Sequence, residues 1–271
     1  MKISEALEKL RGYHAQAGDY DHIDPAKTCD GVKFGDTEQE LTGIAVTCAP
    51  VYEVLGQAAE MGCNLIICHE PLFYNHPDDT SWMQDNPVYQ VKARKLAEHG
   101  IVVYRDHDAI HAHNPDCIYT GVMKELGWEP YRADEGRRPM LYQLPPMTVS
   151  QLADTLKDAL GLRTVRVIGC TEGVVSRVAY VGGGNLSFDD TNTKMMMGDT
   201  EVMIAGELID WTVMSFVRDA AVMGQQKTII QLGHFNSEAL GMKHAAGWIA
   251  DIMGDSVPVH WIPSGEPYRY L

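Results

Sequence analysis

Apolar and polar residues follow two different rhythms along this chain. Residues 3–12 place Ile3, Ala6, Leu7 and Leu10 on one face of a helix. A polar, Asp-rich stretch from Gly18 to Glu40 reads as a loop, with a short strand or turn bracketed by Gly31 and Gly35. The rhythm then changes to short, unbroken apolar runs: Ile44–Cys48, Asn64–Cys68, Ile101–Tyr104 and, much later, Thr228–Leu232. Such runs are expected of strands buried on both faces, as in a parallel sheet. Between them, Pro50 opens a helix over about 51–61 that ends near Gly62, and Val88–His99 reads as a helix stopped by Gly100. Strand, helix and strand in this order form a βαβ unit, whose right-handed crossover makes the strands parallel.

After Gly127-Trp128-Glu129-Pro130 the order of elements changes. The pattern predicts strands at 141–144, 164–168, 177–181 and 202–205 and helices at 149–160 and 209–223. A strand at 228–232, a helix at 235–253 and a strand at 257–261 close the chain. The fold class expected is α/β: a mainly parallel sheet flanked by helices, with a second α/β domain inserted in the middle of the chain. The domains expected are 1–127 plus 227–271, and 128–226 as the insert.

Composition narrows the function more than the fold. The 271 residues are 45% hydrophobic and 22% charged, ordinary for a globular protein. A net charge of −15 argues against nucleic acid or an anionic membrane as the main partner. No apolar run reaches the roughly 18 residues of a membrane span, and the first residues open an acidic amphipathic helix rather than a signal peptide, so the cytoplasm is the expected location. Six cysteines form no CxxC pair; Cys48, Cys63 and Cys68 read as reduced and buried.

The chemistry gathers where apolar runs stop. Asn64–Cys68 leads into His69 and Glu70, with Pro71 ending the strand; Ile101–Tyr104 leads to His107 and His111; Thr228–Leu232 leads to His234 and Glu238. In a parallel sheet these strand ends would bring six ligand-capable groups to one edge, where α/β proteins bind ligands. His107/His111 and His234/Glu238 are each four apart, which on a helix puts both side chains on one face. Six such groups suit two metal ions better than one. His76 and His113 read either as solvated loop residues or as supporting groups, and Asp30 as a capping or turn residue near the site. His14, His22, His99, His244 and His260 have no partner at ligand spacing. The run Val181-Gly182-Gly183-Gly184-Asn185 lacks the features of a P-loop and reads as a tight turn that borders the cavity or as an anion cradle.

These motifs resemble those of the dinuclear-metal-centre family, the GTP cyclohydrolase type 2-like proteins that include the YbgI-like and NIF-three-like proteins. Thr28–Gly35 is similar to the family's Trp-Asp-Asn-x-Gly-Leu-x-x-Gly, and Asn64–Leu72 to its Asp-Leu-Ile-Ile-x-His-His-Pro-Leu. Asp106–His111 falls on Ala-His-Thr-Asn-Leu-Asp, and Gly233–Glu238 on Gly-His-Tyr-x-Ser-Glu. The resemblance implies two interlinked α/β domains, a homohexameric ring and two divalent metal ions per subunit, held by His69, Glu70, His107, His111, His234 and Glu238. This chain departs from the pattern twice: Glu70 stands in the place of a His, and His111 in the place of an Asp. Ligand charge is thereby conserved. Imidazole and carboxylate ligands suit zinc, iron, manganese, cobalt or nickel. Two functions fit: a metal-dependent hydrolase acting on a small nucleotide-like or cyclic amide substrate, and a non-catalytic metal-binding or regulatory ring.

Overall fold

A computed structural model describes residues 1–16, 22–138, 140–184, 190–255 and 257–271. Gly18, at the head of the expected loop, and Asn185, at the end of the glycine run, lie outside the described residues. The chain forms two compact units, one of residues 1–121 with 241–265, the other of residues 122–240 with 266–271.

The first unit carries a five-stranded sheet. Its strands are β1 (Gly31–Phe34), β2 (Ile44–Thr47), β3 (Leu65–Cys68), β4 (Val102–Arg105) and β10 (Val259–Trp261), in the order β1-β4-β3-β2-β10. All neighbours are parallel except β1, which runs antiparallel to β4 along one edge. Every residue of β2, β3 and β4 is buried, as their unbroken apolar character predicts. Helices α1 (Ile3–His14), α2 (Tyr52–Glu60) and α3 (Pro87–Glu98) lie at the expected places, α3 capped by Asn86 and started by Pro87. Val54, Leu55 and Ala58 of α2 and Leu96 of α3 pack with Ala45, Ile66 and Val103 of the sheet. Two helices escaped the periodicity, the single turn α4 (Asp108–His111) and α5 (Cys117–Leu126).

The second unit is a sheet of β5 (Leu141–Thr148), β6 (Arg166–Gly169), β7 (Val174–Gly184), β8 (Val202–Glu207) and β9 (Thr228–Gln231), ordered β5-β7-β8-β9-β6. β7, β8 and β9 are parallel, and the edges β5 and β6 are antiparallel to their neighbours. Pro145 and Pro146 fall within β5 where its register against β7 shifts, the irregular edge position that proline tolerates. Helix α6 (Val149–Leu160) opens on a Thr148/Gln151 capping box and ends at Gly161 in the left-handed conformation. Helix α7 spans Thr191–Met197. The helix expected over 209–223 is a π-helical turn at Asp210–Met214 followed by α8 (Ser215–Val222), because Thr212 leaves helical geometry.

One expectation is corrected here. The run at 228–232 was expected to share a sheet edge with the runs ending at Cys68 and Tyr104, yet β9 is an inner strand of the second sheet, between β8 and β6. A fully buried apolar strand carries no record of which sheet it joins, and both sheets have parallel centres. The long helix α9 (His234–Met253) follows β9.

Candidate metal centre

In the first unit the site grows out of one pair of parallel strands. Cys68 of β3 stands opposite Arg105 of β4, and the Asp106 amide donates to the Cys68 carbonyl at 2.8 Å. His69, one residue beyond β3, and His107, two residues beyond β4, emerge side by side. Their rings stack at 4.5 Å between centroids, 20° from parallel, and His111 closes the group at 4.9 Å from His69 and 5.2 Å from His107. One ligand atom from each of the three lies within 4.8 Å of the other two, close enough to share a single ion. The structure thus brings together three of the predicted histidines, with Glu70 next to His69 in the chain.

Each of these rings is held through Nδ1. His69 meets the Asp106 carbonyl at 3.2 Å, His107 the Asp108 carboxylate at 2.9 Å, and His111 the Asp116 carboxylate at 2.8 Å. This is the arrangement in which metal-binding histidines are commonly oriented by a second layer of acceptors. Burial, with His107 and His111 beside it, holds His69 well below the usual histidine range, so it is a neutral nitrogen donor. Burial opposes charge on His107 too, but hydrogen bonds with Asp108 and Cys29 outweigh it and lift the ring to about 10. Metal binding there has to displace that proton. The donor set and its orientation fit a divalent ion.

The supporting residues explain the local geometry. Asp30 accepts from the backbone N–H groups of His107, Asp108 and Ala109 at 2.7–2.8 Å, capping α4 from a distant segment. It is a capping residue, as expected, but the helix it caps carries His111. Arg105 is fully buried; its Nε donates to the His69 carbonyl at 3.0 Å, and its guanidinium lies 3.6 Å from Asp78 and 3.9 Å from Glu70. A buried cation facing two carboxylates keeps Glu70 in a charged setting. His76 is exposed, its ring 6.0 Å from that of His107.

Sequence reasoning missed a buried relay behind the site. His14 Nδ1 lies 2.7 Å from His113 Nε2, and His14 Nε2 lies 3.0 Å from Asp106. His14 continues the buried face of α1 four residues after Leu10, a spacing that marked it as internal. Asp108, Asp116 and Glu207 were also missed, because single acidic residues carry no periodic signal.

In the second unit β9 passes through Gly233 into His234, the first residue of α9. His234 and Glu238 sit one helical turn apart, with Nε2 and carboxylate 3.3 Å from each other, and Glu207 at the end of β8 holds His234 Nδ1 at 3.1 Å. The glycine run belongs to this group. A Cβ on Gly183, whose φ is +71°, would stand 2.3 Å from Glu238 Oε1, and one on Gly184 would stand 3.0 Å from His234. Ser237 accepts from the Gly183 amide at 2.9 Å, and Tyr180 donates to the Ser237 carbonyl. The run is therefore a close-approach segment beside His234 and Glu238.

Two sheets flanked by helices, with a three-histidine group able to hold a metal ion beyond the strand ends of the first, define an α/β protein with a candidate metal site. The chain belongs to the Duf34/NIF3 (NGG1p interacting factor 3) family, whose model matches residues 1–266. It is 27% identical over 220 residues to a GTP cyclohydrolase 1 type 2 homolog of Clostridium perfringens, covering 77% of this chain and 78% of that protein. A second relative of the same description, from Clostridium acetobutylicum, is 24% identical over 219 residues, covering 77% of this chain and 76% of that one. Among solved structures, the Staphylococcus aureus hypothetical protein SA1388 matches with a TM-score of 0.72 and 18% identity, covering 100% of this chain and 99% of that one. Protein ybgI matches with a TM-score of 0.69 and 20% identity, over 99% and 100% of the two chains. These structures share the fold. No helix among the described residues is long and apolar enough to cross a membrane.

Proposed function

We propose that this protein is a metal-dependent hydrolase acting on a small nucleotide-like or cyclic amide substrate. In this reading His69, Glu70, His107, His111, His234 and Glu238 are the ligands of two divalent ions. The observation that carries it is the three-histidine group at the ends of β3 and β4, with its ligand atoms within 4.8 Å and every ring already oriented. The His234–Glu238 pair adds a nitrogen and a carboxylate with the same kind of support. Divalent ions so held supply Lewis acidity for polarising a carbonyl or phosphoryl oxygen and for acidifying water. The chain's own residues supply imidazole donors, neutral already at His69 and at His107 once its proton is displaced, carboxylate charge to balance the ions, and a water-poor setting around His69. The description of the clostridial relatives as GTP cyclohydrolase homologs favours a purine-like substrate. The hexameric ring and cytoplasmic location belong to the same reading.

Metal analysis of protein purified without a tag or added metal, followed by hydrolysis assays with GTP and cyclic amides under each candidate ion, tests it. The expected result is about two ions per chain, with His107→Ala and His234→Ala each lowering affinity by more than the ~100-fold that a lost supporting residue costs, and turnover dependent on the ion. A protein that binds no metal overturns the reading. Tight metal binding without turnover favours a non-catalytic ring, and light scattering separates a hexamer from the 30.1 kDa monomer.

A further inference from the structure

We propose that Asp116 is the positioning residue for His111, fixing its imidazole as the Nδ1–H tautomer so that Nε2 is the atom offered to metal. The inference rests on the metal-binding reading above and deepens it. A neutral imidazole carries one N–H, and whichever nitrogen bears that proton cannot be the ligand.

Asp116 is fully buried and works in two directions. Its Oδ1 accepts from the backbone N–H groups of Ile118 and Tyr119, at 3.1 and 3.3 Å, in the first turn of α5. Its Oδ2 accepts from His111 Nδ1 at 2.8 Å. The helix start therefore holds the carboxylate in orientation, and the carboxylate holds the ring. An ionised carboxylate has no proton to give, so the short contact to Nδ1 requires the proton to sit on the ring at that atom. The N-terminal turn of α5 also favours negative charge at this place, which keeps Asp116 an acceptor. His111 is thereby presented through Nε2 before any ion arrives, and the tautomer is set by the fold rather than by the ion.

The test is Asp116→Asn. The amide oxygen can still accept from Ile118 and Tyr119, while its NH₂ group faces His111 Nδ1 and forces that atom to become the acceptor. Nitrogen-15 NMR of metal-free protein, under alkaline conditions that keep the rings neutral, should show His111 as Nδ1–H in the wild type and as Nε2–H in the variant. Affinity for added zinc or cobalt should fall by about 10–100-fold. Asp116→Ser keeps a good helix cap but lacks the reach to the ring; it should retain thermal stability and still lose zinc affinity. A role confined to capping α5 predicts the reverse, lower stability with tautomer and affinity unchanged. If His111 keeps Nδ1–H in Asp116→Asn, or both variants bind zinc as the wild type does, the proposal is overturned. If the wild type binds no metal, the metal reading fails, and the tautomer of the metal-free protein still decides the role of Asp116.

Discussion

The two candidate ligand groups are assembled by different routes. His69 and His107 follow neighbouring parallel strands and His111 ends α4; the Asp106 carbonyl and the Asp30 cap on α4 come from distant parts of the chain, while Asp108 and Asp116 support their histidines from one and five positions away. His234 and Glu238 are placed almost wholly by one turn of helix, and the tertiary contribution is the glycine segment that lets Glu238 lie against bare backbone. The first group has His69 in its interior, fully buried, whereas the His234 side chain is 26% exposed. A histidine stripped of water stays neutral and ready as a donor, but each unsupported error around it costs more.

Gly183→Ala attacks the second group at its tightest point and carries the largest expected effect. A methyl group there combines a left-handed φ with a 2.3 Å approach to Glu238. Destabilisation of about 3 kcal/mol is expected, read by urea denaturation, with Glu238 displaced and metal affinity at that group reduced. Unchanged stability would mean that the glycine run is not needed for packing against α9.

The buried His14–His113 relay behind the first group should respond to acid. Burial and the neighbouring His14 push His113 down to about 4, while His14, opposed by burial, is raised by Asp106. One proton thus sits on His14 against Asp106, and His113 stays neutral. A depressed histidine is protonated first in the unfolded chain, so metal-free protein loses stability as pH falls from about 6.5 toward about 4. His14 acts in the opposite sense, its contribution complete below about 6.5 and fading as pH rises through its raised value. His113→Asn should flatten the acid limb by about 2 kcal/mol, measured by denaturation across that pH window. An unaltered limb would place the acid sensitivity elsewhere.

The smallest effect is expected of Asp30→Asn, which keeps the shape of the cap on α4 but removes its charge. Three backbone N–H groups lose a carboxylate partner, at a cost of about 1 kcal/mol. The loss is moderated because burial and Asp106 already raise the carboxyl of Asp30. Calorimetry would show the shift, and metal titration should show weakening at the first group while His234 and Glu238 are unaffected. Equal weakening at both groups would erase the distinction between them.

By itself the sequence determined the elements whose signal is local. Unbroken apolar runs marked β2, β3, β4 and β9; Pro50 marked a helix start and Gly100 a helix end; the candidate ligand residues stood out because they follow apolar runs, two of the pairs at helical spacing. The family motifs carried the rest of that reading, and the chain's membership in Duf34/NIF3 agrees with it. Only tertiary structure decided that Thr228–Gln231 joins the second sheet, since a strand apolar on both faces fits the centre of either one. Only tertiary structure likewise joined His14 to Asp106 across 92 positions, set the Asp106 carbonyl against His69 Nδ1 and brought Asp30 to the start of α4. Hydrogen-bond partners are chosen by proximity in the folded chain, and a lone carboxylate in a polar loop looks the same whether it faces water or the ring it orients.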